Sequence, residues 1–233
     1  MPRELNGAHV VVVGATGVLG SNLARAFAAR GARVSAIARD HTRLDGASVT
    51  QYALADVTDH EALKLAIASV APFDGFVNAS GVVAFGNVVD LDDATLARLF
   101  AVNAMAPLVM LRESAPHLSD GGFFLNISGV VATQPVGGMA AYSASKAAAF
   151  AAVSAASREF RRRRIDVIDA RPPHTETGLA NRAISGVAPK MPLGLDPDVV
   201  ARRIVDGIGA GERDLPTEVF SASATSTPVN SLR

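Results

Sequence analysis

The sequence predicts a doubly wound α/β fold, a mostly parallel sheet of six or seven strands with helices on both faces. Three observations predict it. Short β-branched or apolar runs recur along the chain, each ends near a Gly, Asp, Asn, Ser or Pro that can turn it, and helical segments separate most of them. Runs without a polar alternation are what a strand buried on both faces requires. The chain has 233 residues, 49% hydrophobic and 19% charged, enough for one sizeable core and too few to make two domains comfortable. Residues 1–220 therefore read as a single domain. Residues 221–233, rich in Ser and Thr and poor in large apolar side chains, read as a mobile tail.

Taken in order, the strands are expected at 10–13, 34–38, 49–53, 75–78, 123–127 and 166–170, with a short seventh near 218–220. Helices are expected at 20–30, 59–70, 94–117, 142–164 and 197–211, with Asp92 or Asp93 and Asp196 as N-caps. Lys and Arg number 22 and Asp and Glu 22, so no net field draws in a nucleic acid or an anionic membrane surface. No cysteine is present, which excludes disulfides, thiolate metal sites and a thiol nucleophile, and fits a reducing compartment. The first eight residues carry no leader pattern, and the apolar stretch 139–156 is interrupted by Tyr142, Lys146 and several serines. A cytoplasmic protein without a membrane segment is expected.

The first chemical signal follows the first strand at once: Gly14, Gly17 and Gly20, with Thr16 and Leu19 between them, open the first helix. Glycines let backbone approach a pyrophosphate closely, and the free amides and dipole of a helix N-terminus favour its charge. The position marks a Rossmann-type dinucleotide site, the alternative being a purely structural tight turn. An acidic residue at the end of the second strand would bind a ribose 2′-hydroxyl. Here Ala38 is followed by Arg39, a cation suited to a 2′-phosphate, so NADP(H) is favoured over NAD unless Arg39 is simply a solvated loop residue beside Asp40. The second signal is Tyr142-Ser-Ala-Ser-Lys146, a pair on one helix face in which the ammonium would stabilise a phenolate and lower the Tyr142 pKa for acid/base work. In isolation such a pair could equally be an ordinary surface Tyr and Lys.

The order of these motifs resembles the short-chain dehydrogenase/reductase superfamily over residues 8–220. Asp56 and Val57 after the third strand, Asn78 and Gly81 after the fourth, Asn103 in the long helix, and Thr175 and Thr177 beyond Pro172 stand where that family has its motifs. The resemblance implies adenine contacts from Asp56 and Val57, a cleft lined by Asn78 and Gly81, and contacts from Thr175 and Thr177 to the nicotinamide carboxamide. It also implies that Lys146 holds the ribose and that Asn103 supports a water chain to it. Without this context Asp56 reads as a turn acid and Asn103 as a satisfied helix polar residue.

Three departures stand out. The glycines follow a Gly-xx-Gly-xx-Gly spacing, typical of longer, epimerase-like relatives. Pro172-Pro173-His174 replaces the usual Pro-Gly and places an imidazole near the nicotinamide, either as a substitute donor or as a loop histidine without a role. Most seriously, the catalytic serine position, 13 residues before Tyr142, is Gly129, while Ser128 stands one place earlier and would need a local shift to reach a substrate oxygen. A serine introduced at 129 is expected to supply the missing donor without disturbing the cleft.

These features imply an NADP(H)-dependent oxidoreductase interconverting a ketone or aldehyde and an alcohol, with Tyr142 as acid/base, Lys146 and Asn103 behind it, and Ser128 as a candidate donor. The alternatives are a dinucleotide-binding sensor or structural partner, and a non-redox lyase, isomerase or cyclase. Substrate would meet 82–90, 130–140 and 178–195, which are mostly small or apolar and suit a neutral, fairly hydrophobic molecule, with the last segment as a possible lid. The alanine-rich run 147–156 is expected to pack against a second copy in a homodimer or homotetramer, unless it faces the protein's own sheet, and Arg161 to Arg164 read as a solvated helix end.

Overall fold

Val10 to Val13 offers water no polar side chain, and the structure buries the run at the centre of a sheet. In the computed structural model, which describes residues 2–44 and 48–220, the strands are β1 (His9–Val13), β2 (Arg33–Ala38), β3 (Gln51–Leu54), β4 (Phe73–Asn78), β5 (Leu118–Ile127) and β6 (Asp166–Ala170). They form one six-stranded sheet in the order β3-β2-β1-β4-β5-β6, and every pair is parallel. The predicted tail, 221–233, lies outside the described residues.

The helices are α1 (Val18–Ala29), α2 (His60–Ser69), α3 (Asp93–Phe100), α4 (Ala106–Ser114), α5 (Ala140–Glu159) and α6 (Pro197–Ala210). Alternation along each strand divides the core in two. Val10, Val12, Phe123 and Leu125 pack with Leu23 and Phe27 of α1 and Ile204 and Ile208 of α6. Val11, Phe76, Phe124 and Val167 pack on the other face with Leu63 of α2, Met110 of α4 and Val153 of α5. Asp92, Asp59 and Asp196 cap their helices by accepting from Thr95, Ala62 and Asp198 amides.

Two expectations about elements are corrected. The predicted helix 94–117 is interrupted by a π-helical turn at Ala101–Met105. Pro107 has no amide for the Asn103 carbonyl, and the Ala106 amide reaches back to Ala101 instead, so the ladder slips by one residue. The predicted seventh strand does not form. Leu215 makes one parallel bridge to Ala170, Pro216 then removes the next backbone donor, and residues 218–220 turn helically with Phe220 buried. The helical run Asp93–His117 is long and apolar enough to cross a membrane by length and composition, but it spends Leu99, Val102, Val109 and Met110 on the core.

Phe123 is fully buried, stacks on Phe27 at 5.9 Å between centroids, and lies across Gly75, where an added Cβ would come within 2.3 Å of the ring. Phe123→Ala is expected to lower the unfolding free energy by about 3–5 kcal/mol, read from the shift in urea midpoint at constant m-value.

Candidate active site

Strand order reverses between β1 and β4, and in a doubly wound sheet the crevice opens there, beyond the carboxyl ends of the strands. Gly14 leaves β1 with φ +83°, and a Cβ there would meet the Ala79 and Ser80 backbone at 3.0 Å. A Cβ on Gly20 would lie 2.2 Å from the Gly14 carbonyl oxygen, which receives the Gly17 amide. The first and third glycines are thus steric requirements of a tight β1 to α1 turn. Gly17 is the N-cap of α1 and offers no side-chain cap, and the first turn holds no acid, so its amides stay free for an anion. Thr16 lies partly exposed on this loop, and Leu19 packs on the core beneath it.

Beyond β2, Arg39 is exposed. The Asp40 carboxylate accepts from the Thr42 amide and hydroxyl, so it is engaged there instead of with Arg39, and those bonds hold its pKa below the ordinary range. Arg43 acts on Asp40 through its charge, a second cation at this end of the cleft that the sequence reading missed. Asp56 accepts from Thr58 and pairs with Arg98 at 3.5 Å. Burial raises its pKa, but those partners outweigh it and the net shift is downward. Val57 beside it is buried in the core of that face.

The central strands end in a polar row. The register sets Val11, Phe76, Phe124 and Val167 side by side, and two residues on it sets Val13, Asn78, Asn126 and Asp169. The Asn78 amide donates to Asn126 at 2.9 Å, and Asn126 donates to Asp169 at 2.8 Å. Asn78 in turn accepts from the amide and hydroxyl of Ser80 on the cleft rim. Asn126 and Asp169 were not among the expected site residues. A carboxylate between Ile168 and Ala170, in the buried part of a strand, was the available signal.

The π-helical turn carries Asn103. Its side chain clamps Val82, accepting from the amide at 3.0 Å and donating to the carbonyl at 2.8 Å, and it also donates to the Ser145 hydroxyl of α5. Asn103 Oδ1 and Lys146 Nζ converge on Gly81, within 3.4 and 3.5 Å of where its Cβ would stand. Lys146 Nζ donates to the Ile127 carbonyl at 2.8 Å. The expected lowering of the Tyr142 pKa by Lys146 is corrected in this state: burial pushes the Tyr142 phenol up to about 12, so it is held protonated. Burial brings the Lys146 ammonium down to about 8, with the Asp169 carboxylate working against the shift.

Tyr142 lines a cavity of about 230 Å³ with Ala84, Phe85, Val88, Leu99, Met139 and Gly186. Asn87, Asp90 and Ser185 supply its polar side chains, and Asn87 and Ser185 are donors the sequence reading missed. The Phe85 amide bonds to Ser185 and the Ile184 amide to Val83, so the segment expected to be a lid is laid against 83–86.

Ser128 is placed away from this cavity. Its side chain shares the face of Asn126, is buried, and donates to Asp169 Oδ1. Gly129 has φ +79° and ψ 166°, a region that only glycine occupies without strain. Its amide and that of Ser128 both bond to the Ala170 carbonyl, so neither faces a substrate oxygen. A serine at 129 would meet no steric obstacle, but it would have to hold a backbone conformation suited to glycine, so local strain accompanies any donor placed there. His174 contacts Glu176 at 3.2 Å, and Glu176 accepts from the Gly194 amide. Thr175 pairs with Leu195 and donates to the Pro173 carbonyl, while the Thr177 hydroxyl accepts from Leu179.

The short chain dehydrogenase family model matches residues 8–187, and the chain belongs to that family. It is 40% identical over 109 residues to galactitol 2-dehydrogenase (L-tagatose-forming) of Cereibacter sphaeroides, a match that spans 43% of each chain. It is 29% identical over 244 residues to an uncharacterized oxidoreductase of Methylorubrum extorquens, spanning 94% of this chain and 98% of that one. Among solved structures, a short-chain dehydrogenase from Sphingobium yanoikuyae in complex with NADPH superposes with a TM-score of 0.80 at 27% identity, over 90% of this chain and 87% of that one.

The glycine-only backbone at 129 makes a direct prediction. Gly129→Ser and Gly129→Ala should each cost about 1–3 kcal/mol of stability, by similar amounts, in thermal or urea unfolding. A neutral Gly129→Ser would contradict the conformational reading.

Proposed function

We propose that this protein is an NADP(H)-dependent reductase of small, neutral, fairly hydrophobic ketones or aldehydes. One observation carries the reading. Tyr142 borders the cavity at the carboxyl end of the sheet, while Asn103 and Lys146 converge one helical turn away on Gly81.

The chain fits a dinucleotide: the space that a Cβ on Gly14 or Gly20 would fill is left to backbone, and α1 presents uncapped amides. Gly14, Thr16, Gly17, Leu19 and Gly20 would hold the pyrophosphate, Arg39 with Arg43 the 2′-phosphate, and Asp56 with Val57 the adenine. Asn78, Gly81, Lys146, Thr175 and Thr177 would hold the nicotinamide half. When bound, NADPH supplies the hydride. The protein supplies the proton: a phenol held near 12 is protonated at neutral pH and can donate to the developing alkoxide. Lys146, near 8, remains mostly cationic there and stands behind Tyr142 on the same helix face.

Among the described residues no Lys, Arg or His lines the cavity, which suits an uncharged substrate, and its volume of about 230 Å³ suits a small molecule. The absence of a serine at 129 leaves Tyr142 as the acid, with Asn87 or Ser185 as the neighbouring donors that could meet the substrate oxygen. The cysteine-free composition supports a cytoplasmic location.

Steady-state assays with NADPH and a panel of neutral carbonyl compounds test this reading. Turnover is expected with NADPH, and Tyr142→Phe should abolish it. NADPH should bind about tenfold or more tightly than NADH, about 1.4 kcal/mol, within reach of one charge-assisted bond, and Arg39→Ala should narrow the gap. Equal binding of both cofactors, or an active Tyr142→Phe, would overturn it.

A homodimer, or a tetramer built from it, belongs to the same proposal. Ala149 and Ala156 of α5 face the protein's own core, but Ala144, Ala148, Ala151 and Ala155 form an exposed small-residue stripe, with Leu108 of α4 also exposed. Light scattering at micromolar concentration is expected to return at least twice the chain mass, and Ala151→Arg should shift it toward the monomer.

A further inference from the structure

The Asp169 carboxylate sits between Ile168 and Ala170, is 3% exposed, and lies outside the cavity that Tyr142 lines, bordering instead a separate one with Phe150 and Asp214. Burial of such a group demands several partners. It has them: Asn126 donates to one oxygen at 2.8 Å, and Ser128 and Arg171 donate to the other, the latter at 3.4 Å. Arg171 also pairs with Asp214 at 2.8 Å and lies over the Phe150 ring of α5, 4.6 Å from its centroid.

The donors run in one direction, from Ser80 through Asn78 and Asn126 to Asp169. An ionised carboxylate only accepts, so it fixes which way each amide faces. Ile127 lies between two residues that Asp169 holds by their side chains, and its carbonyl receives Lys146 Nζ.

We propose that Asp169 is the positioning residue of Lys146: it locks the end of β5 so that the Ile127 carbonyl meets the ammonium, and it sets the charge the ammonium faces. The inference rests on the reading of Lys146 as part of the reductase site. Lys146 is faced by Asp169 from β6, by the Ile127 carbonyl from β5 and by Asn103 from the π-helical turn, and Tyr142 stands one turn earlier in α5. Asp169 is faced by the cations of Arg171 and Lys146 and by the Ser128 and Asn126 donors. These oppose a burial that nevertheless raises its pKa to about 6. The two groups therefore titrate as a pair.

Lysine ¹³Cε NMR of the cofactor-free protein reads this directly, because the chain has only three lysines, Lys64, Lys146 and Lys190. In the native protein the Lys146 resonance should show its own titration near 8 and a second inflection near 6, where Asp169 titrates. Asp169→Asn should remove the inflection and lower the Lys146 pKa by about one unit. It leaves one acceptor oxygen where two stood, so either Asn126 or the Ser128 and Arg171 side then meets an amide donor. The double variant Asn126→Asp with Asp169→Asn restores an acceptor-only group to the row, keeps every donor paired, and should return both the melting temperature and the Lys146 pKa toward native values.

A native Lys146 with no inflection near 6 overturns the proposal without any variant. So does an unchanged Lys146 pKa in Asp169→Asn, or a folded double variant in which that pKa stays low. If Tyr142→Phe proves active, the reductase reading falls and the coupling is judged by NMR alone. If Tyr142→Phe is inactive but Lys146 is uncoupled from Asp169, only this inference falls.

Discussion

A parallel sheet covered by helices on both faces has no water to offer its side chains, so every polar group placed in it must find its partner there. Beneath the cleft that constraint is met by one row, as it is at the other end of the sheet by His9 and Ser35, paired at 2.7 Å. Asn78, Asn126 and Asp169 stand side by side on β4, β5 and β6, and each amide is bonded to the next group along. Directly beneath lies an apolar row, Val11, Phe76, Phe124 and Val167, with Phe76 and Phe124 stacked at 5.7 Å. The boundary between the two rows is where the core stops and the cleft begins.

The arrangement accounts for what happens at the end of β5. With Ser128 drawn into the row by Asp169, and the Ser128 and Gly129 amides bonded to Ala170, the chain must turn sharply at 129. It does so through a conformation suited to glycine. Gly129 is thus part of a local structure built around the polar row. A polar row with a definite donor direction also holds the Ile127 carbonyl in place for Lys146, which couples the floor of the cleft to the helix that carries Tyr142.

A similar economy operates on the opposite side of the cleft. Pro107 breaks the helix ladder, the π-helical turn that results brings Asn103 inward, and Asn103 fastens Val82 by both its backbone groups. That clamp sets the course of the chain through 83–86, against which residues 184–185 are laid. One proline, acting through backbone hydrogen bonding, thereby helps shape the wall of the cavity.

Local rules made much of the fold legible in the sequence. All six strands, the helices α1, α2, α5 and α6 to within a few residues, the Asp caps, and the steric need for Gly20 follow from period, turn chemistry and the absence of a Cβ, which depend on near neighbours alone, whereas Gly14 is also required by the close approach of the Ala79 and Ser80 backbone. Tyr142, Lys146 and Asn103 were visible as residue types in order along the chain. What surrounds them was not. Whether Ser128 faces substrate or Asp169, whether Lys146 reaches Tyr142 or the Ile127 carbonyl, and whether Asn126 and Asp169 meet at all depend on strand register and helix packing across residues far apart in sequence. The sequence by itself determined the elements and the inventory of the site. The tertiary structure decided which polar groups satisfy one another once water is excluded, because that choice belongs to the packed sheet and to no single segment.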